Sequence, residues 1–173
     1  LVNISKPGEM NDKLRSRLNE LGLDDFDFKP YPLNIWDVYQ EGGIPLRITI
    51  SEMGPLMLSN ILGLNDTQMG VLNIVFKVAD NEGLLLIDLK DLKEVINYVS
   101  DNREVVSKNF GNVASQSLSA ISRKLLFLEY AGGDLFFGEP AIDINDLIKT
   151  DSEGRGLVNI LKADKLITNP LLY

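Results

Sequence analysis

The sequence predicts an α+β chain that is predominantly helical, with a bundle of helices set between strand-like pieces. Three observations carry this. From residue 52 to 131, apolar residues recur at helical spacing in four to five successive stretches. On either side, Leu46 to Ile50 alternates and Leu157 to Leu161 is nearly continuous in apolar character, both strand patterns. The 173 residues are 45% hydrophobic and 24% charged, a globular composition for one domain or a domain plus an appendage.

Taken in order, Leu1 to Ile4 reads as a short strand or strand end, cut off by Pro7-Gly8. Residues 9–21 place Met10, Leu14, Leu18 and Leu21 on one helical face, and Gly22 stops that helix. Asp24 to Asp27 form an acidic patch interleaved with Phe26 and Phe28. Pro30 and Pro32 then exclude helix, and residues 33–39 fit a strand or a single turn. Leu46 to Ile50 is predicted as a half-buried strand. Ser51 and Gly54-Pro55 open a short helix that Gly63 ends. Asn65 with Gln68 is a capping box for a helix carrying Met69, Leu72, Val75, Phe76 and Ala79 on one stripe. Asp88 caps the next, built on Leu89, Leu92, Val95, Ile96 and Val99. A weaker helix covers 102–110. The most regular one, 115–131, turns Leu118, Ile121, Leu125 and Leu128 inward and places Ser117 and Lys124 elsewhere on the wheel. Residues 143–149 suit one more short helix. Leu157 to Leu161 reads as a strand of the kind covered on both faces in a parallel sheet.

Composition excludes much chemistry. His and Cys are both absent, which removes Ser-His-Asp and Cys-His nucleophiles, thiolate or imidazole zinc sites, disulfides and haem attachment. The 17 basic and 25 acidic residues leave a net charge of -8, so nucleic-acid contact requires a local basic patch. No apolar run approaches the roughly 20 residues of a membrane-spanning helix, and no basic and apolar leader opens the chain. A reducing cytoplasm is the expected location.

The motifs are weighed against plainer roles. No glycine is followed by Lys, so the phosphate-binding Gly-x4-Gly-Lys loop is absent. Gly154-x-Gly156 starts a dinucleotide fingerprint that Asn159 breaks. Leu84 to Asp88 has the form of a strand ending in a magnesium-binding carboxylate, but Asp88 is better read as a helix cap. Asp24, Asp25 and Asp27 do not make a calcium loop, since Pro30 and Trp36 stand where its glycine and glutamate belong. Asp143 and Asp146 could serve a metal-dependent hydrolase, yet they first supply negative charge to a helix start. Lys13, Arg15, Arg17, Arg123 and Lys124 read as solvated faces. Arg155, between Gly154 and Gly156, either reaches a phosphate or a neighbouring subunit, or pairs locally with Asp151 or Glu153.

Several strings resemble one family: Ile48 to Leu56, Leu64 to Gln68, Ala79 to Gly83 with Asp88 to Leu92, Phe136 to Pro140, and Gly154 to Leu161. Together, and in this order, they resemble the bacterial HerA-like helicases within the FtsK–HerA group of P-loop ATPases, over nearly the whole chain. The resemblance implies an internal piece, with the phosphate-binding loop before Leu1 and the Asp-Glu strand after Tyr173. It implies a helical bundle inserted between strands of an incomplete RecA-like core. Residues 1–50 would then be the N-terminal α/β segment of the core, 51–135 the inserted bundle, and 136–173 the return to the core with strand 157–161. The implied activity is a DNA-translocating or helicase-type ATPase requiring ATP and magnesium, self-associating and contacting DNA, and not embedded in a membrane. The chain alone carries neither nucleotide motif and is expected to be inactive, contributing bundle contacts to subunits, DNA or partners. No catalytic, cofactor-binding or metal residue is assigned in it, save Arg155 as a trans-acting arginine. The competing reading is a free-standing helical protein-interaction module without ATPase activity.

Overall fold

Local capping chemistry decides where most helices begin. The computed structural model describes residues 2–23, 25–169, 171 and 172. Leu1, Asp24, Pro170 and Tyr173 lie outside the described residues, and with them the first residue of the expected strand, the first carboxylate of the acidic patch and the end of the tail. The described chain is α+β and mostly helical, as the sequence predicts. It forms two compact units, one from Leu1–Trp36 with Asp143–Leu161, the other from Asp37–Ile142 with Lys162–Tyr173.

The first unit opens with a 3-10 turn, Val2–Ser5, where a strand was expected. The Asn3 carbonyl accepts the Lys6 N–H at 3.1 Å, and this turn closure consumes the group a strand would offer sideways. Helix α1, Asp12–Leu21, is capped by the Asn11 side chain and closed by Gly22 at φ 64. It is shorter than predicted. Met10 precedes it, and of the expected stripe only Leu18 is buried, with Leu14 and Leu21 exposed. Strand β1, Leu33–Asp37, runs parallel to β3, Val158–Leu161, with Leu33 opposite Val158 and Ile35 opposite Ile160. Trp36 Nε1 donates to Asn159 Oδ1 at 2.8 Å and fixes that register. The parallel partner agrees with the apolar pattern, but the covered faces do not: β3 is only half-buried and Leu161 is 49% exposed. Helix α8, Ile144–Leu147, starts on a capping box between Asp143 and Asp146.

The second unit holds the main core. Strand β2, Ile44–Pro45, lies beside Asp37, whose carbonyl accepts the Leu46 N–H at 3.3 Å. Leu46 to Ile50 is not the predicted strand. Ile48 makes an isolated parallel bridge to Phe137, and Ile50 already begins helix α2, Ile50–Ile61. The reason is a capping box: Thr49 Oγ1 accepts the Glu52 N–H while Glu52 Oε2 accepts the Thr49 N–H, both at 3.1 Å. Gly54 breaks α2 at φ 70 and ψ 166, before Pro55.

Helix α3, Asp66–Asn81, starts on the Asn65–Gln68 box, and α4, Leu89–Asp101, on a box between Asp88 and Asp91. Helix α5, Arg103–Phe110, follows, then α6, Ser115–Leu128. Helix α3 packs on α2, α4 and α6, and α4 packs on α5 and α6. Leu58, Leu72, Val75, Leu92, Val99, Ile121, Leu125 and Leu128 are fully buried between them. Two outward positions on α6 prove otherwise. Ser117 is buried, and Lys124 Nζ donates to the Leu62 and Gly63 carbonyls at 2.7 and 2.5 Å, closing the end of α2. Past Leu128 the chain makes a π turn, Glu129–Gly133, then α7, Asp134–Phe136. Gly133 is required there, because a Cβ would sit 2.7 Å from the Leu128 carbonyl oxygen.

A polar cluster ends this unit. The buried Asp37 carboxylate accepts the N–H groups of Tyr39 and Glu41 at 3.0 and 2.9 Å and pairs with Lys162 at 3.3 Å. Lys165 pairs with Glu41, and Asn169 donates to the Tyr39 hydroxyl and to the Ala131 carbonyl. Residues 162–169 are thereby tied to the loop that follows β1.

Candidate functional site

The first unit carries a cleft of about 420 Å³ whose lining includes Lys6, Phe26, Phe28, Lys29, Tyr31 and Arg155. Local sequence explains how these side chains gather. Pro30 and Pro32 hold the segment before β1 extended, and the Tyr31 N–H donates to the Ile4 carbonyl at 3.0 Å, setting the opening 3-10 turn beside it. Gly8 lets that turn approach closely, since a Cβ there would stand 2.7 Å from Phe28 Cδ1. The Phe26 and Phe28 rings meet edge to face at 5.1 Å. Phe26 and Tyr31 are about half exposed, so their faces remain open to a ligand.

Arg155 reaches the same cleft from the turn before β3. Gly154 at φ 77 makes that turn possible. Asp151 Oδ1 accepts the backbone N–H groups of Glu153 and Arg155, both at 2.9 Å, while Oδ2 lies 2.8 Å from Nε and Nη2 of Arg155. Arg155 Nη1 donates to the Pro30 carbonyl at 3.1 Å, linking the two segments. The Asp151 carboxyl is held below the usual range chiefly by the Arg155 N–H. Burial opposes this, and the guanidinium and the Glu153 N–H reinforce it. Of the two sequence readings of Arg155, local pairing is the arrangement present.

Charge in the cleft runs against the chain as a whole. Lys6, Lys29 and Arg155 face a single carboxylate, Asp27, among its described lining residues. Lys6 and Lys29 have no ion-pair partner among the described residues. Two unneutralised ammonium groups beside open aromatic faces can hold phosphate next to a flat ring.

The other candidates resolve into structure. Asp88 Oδ1 accepts the N–H groups of Lys90 and Asp91 at 2.7 and 3.1 Å, so it caps α4. Asp143 Oδ1 accepts from Asn145, and Asp146 pairs with Lys149 at 2.5 Å, which holds its carboxyl low. Asp25 and Asp27 lie in an exposed loop. No group of three or more potential metal ligands occurs among the described residues. The sequence has no Gly-Lys phosphate loop, and Asp88, Asp143 and Asp146 are engaged at the starts of their own helices. No helix is long and apolar enough to cross a membrane among the described residues.

Sequence reasoning singled out Arg155 but missed Lys6, Lys29 and Tyr31. Their convergence depends on residues far apart in the chain, and the one local signal is Lys29 between Phe28 and Tyr31. No curated protein and no solved structure gives a significant match to the chain. One family model does, described as helicase HerA-like C-terminal, and its match spans residues 1–173. With the strings noted above distributed along that span, the chain belongs to the helicase HerA-like C-terminal family.

Proposed function

We propose that the chain is a non-catalytic segment of a HerA-like, DNA-translocating ATPase, and that its cleft at Lys6, Lys29 and Tyr31 contacts a DNA strand. ATP and magnesium would bind elsewhere in the longer protein. In this reading the helical bundle is an insertion between strands of a RecA-like core, β3 re-enters that core, and the protein self-associates in the cytoplasm. The carrying observation is the pair of unneutralised lysines beside exposed rings in a chain of net charge -8. Such a local reversal of sign supports an anionic, ring-bearing ligand, because the surrounding field opposes it. Arg155 would have to release Asp151 and the Pro30 carbonyl before it could act across a subunit boundary.

The test is fluorescence anisotropy of a labelled single-stranded oligonucleotide titrated with the chain across a salt series. Each lost phosphate contact should lower the salt slope by about 0.7, so Lys6→Glu with Lys29→Glu should flatten it by about 1.4 and weaken binding at least about tenfold. Unchanged affinity in the double variant, or no binding by the parent chain, would remove the cleft from DNA contact. The alternative, a free-standing interaction module, draws on the exposed Phe127 and Tyr130 of the bundle. Failure to bind DNA together with capture of a protein partner would favour it.

A further inference from the structure

Helix α6 has two different faces. Leu118, Ile121, Leu125 and Leu128 are buried in the core. Arg123 and Phe127 stand at i and i+4 on the outward side, with Leu126 beside them and Tyr130 following in the π turn. Phe127 is 65% exposed, Tyr130 83% and Leu126 45%. Arg123 is also exposed and has no ion-pair partner among the described residues. This spacing is how a helix presents anchors to a groove.

The same unit holds a groove that matches it. Between the end of α3 and the flank of α4 lies a hollow of about 330 Å³, lined by Leu84, Val95 and Tyr98 and rimmed by Glu82 and Glu94. A cavity of about 150 Å³ already admits a benzene-sized guest, so a phenyl ring fits. Neither glutamate has an ion-pair partner among the described residues. The groove sits at the negative pole of α3, where Asp80 and Glu82 flank the helix end and no basic residue occupies the last turn. Acidic residues at that pole raise the local negative potential, and none of them has an ion-pair partner among the described residues. The missing complement is a cation carried next to an aromatic side chain, which is what Arg123 and Phe127 present.

We propose that the α6 stripe of one copy docks in the α3–α4 groove of a second copy, with Phe127 in the hollow and Arg123 against Glu82 and Glu94. The inference rests on the self-association in the reading above and names its surfaces. Because the two patches differ, the contact is head to tail, and successive copies form a ring or an open row.

Sedimentation velocity of the 173-residue chain up to about 0.5 mM tests this, a range that detects association as weak as the millimolar scale. The parent should shift to larger species with concentration, and added salt should weaken the shift. Phe127→Asp should abolish it. Arg123→Glu and Glu94→Arg should each raise the dissociation constant at least about tenfold, and the double variant should recover most of the loss. All three positions are on the surface, so urea melts confirm that each variant folds as the parent does. A monomeric parent overturns the proposal, as does a double variant no better than its singles. Association that survives Phe127→Asp keeps the self-association but removes these surfaces, and the oligonucleotide titration is read independently of either outcome.

Discussion

Replacing Asp37 by Ala gives the sharpest test of the polar cluster that holds residues 162–169. The carboxylate is 1% exposed and accepts the backbone N–H groups of Tyr39 and Glu41 while pairing with Lys162. Truncation strands two backbone donors, and an unsatisfied buried donor costs about 1–3 kcal/mol. Both donors sit in a surface loop that water can enter, so the lower half of that range applies to each. Lys162 is one-third exposed and keeps Glu41 as a second partner at 3.8 Å, so its loss of Asp37 adds little. The expected destabilisation is about 2–4 kcal/mol, and Asp37→Asn, which retains one acceptor, should lose less.

The pH dependence has a definite sign. Burial by itself would raise the Asp37 carboxyl, but the N–H groups of Glu41 and Tyr39 together with Lys162 outweigh it and hold the group below its ordinary value of 3.8. A carboxyl depressed in the folded state stabilises fully above the unfolded value and loses that contribution as pH falls through the folded value. Urea melts of parent and Asp37→Ala should therefore differ by a constant amount from pH 7 to about 5 and converge below about 4. Equal midpoints at pH 7, or a gap that widens on acidification, would refute the reasoning.

The core and the site offer two further checks. Leu125→Ala should cost about 2–5 kcal/mol in urea melts, since the side chain is fully buried and leaves a cavity. Lys124→Met should cost about 0.5–2 kcal/mol by freeing the carbonyls of Leu62 and Gly63, and a parent-like melt would show that water serves them equally well. In the full-length protein, Arg155→Ala should lower steady-state ATP turnover by about 10³–10⁵ if it acts as a trans arginine. A loss of only a few fold, with assembly intact, assigns it to the Asp151 turn alone.

Features decided within four residues were legible, and those decided across the chain were not. The Asn65–Gln68 box and the Asp88 cap follow from a side chain reaching its own backbone, and both helices start as read. Thr49 and Glu52 form the same device, but the apolar alternation of Leu46, Ile48 and Ile50 concealed it. There the capping box outweighed β propensity. The stripe on α1 failed for the opposite reason. Its period is correct, but only Leu18 becomes buried, and periodicity cannot supply a partner surface. Lys162 meets Asp37 across 125 residues, and Lys6 joins Arg155 only through the pairing of distant segments.

Stability and recognition are divided in this chain by how residues treat local rules. Three of the four capping boxes, at Thr49, Asn65 and Asp88, start helices around the main core, where side chain, backbone and burial agree. The exceptions lie on the surface. Lys6 and Lys29 have no ion-pair partner among the described residues of an acidic chain, and Asp80 and Glu82 crowd the wrong pole of α3. Phe127 and Tyr130 leave large rings in water on a helix whose other face is fully buried. None of these is needed to build the core, and Asp80 and Glu82 act weakly against folding at the negative pole of α3. Each becomes favourable only when something outside the chain supplies the missing sign or covers the ring, so the departures from local consistency mark the surfaces to test.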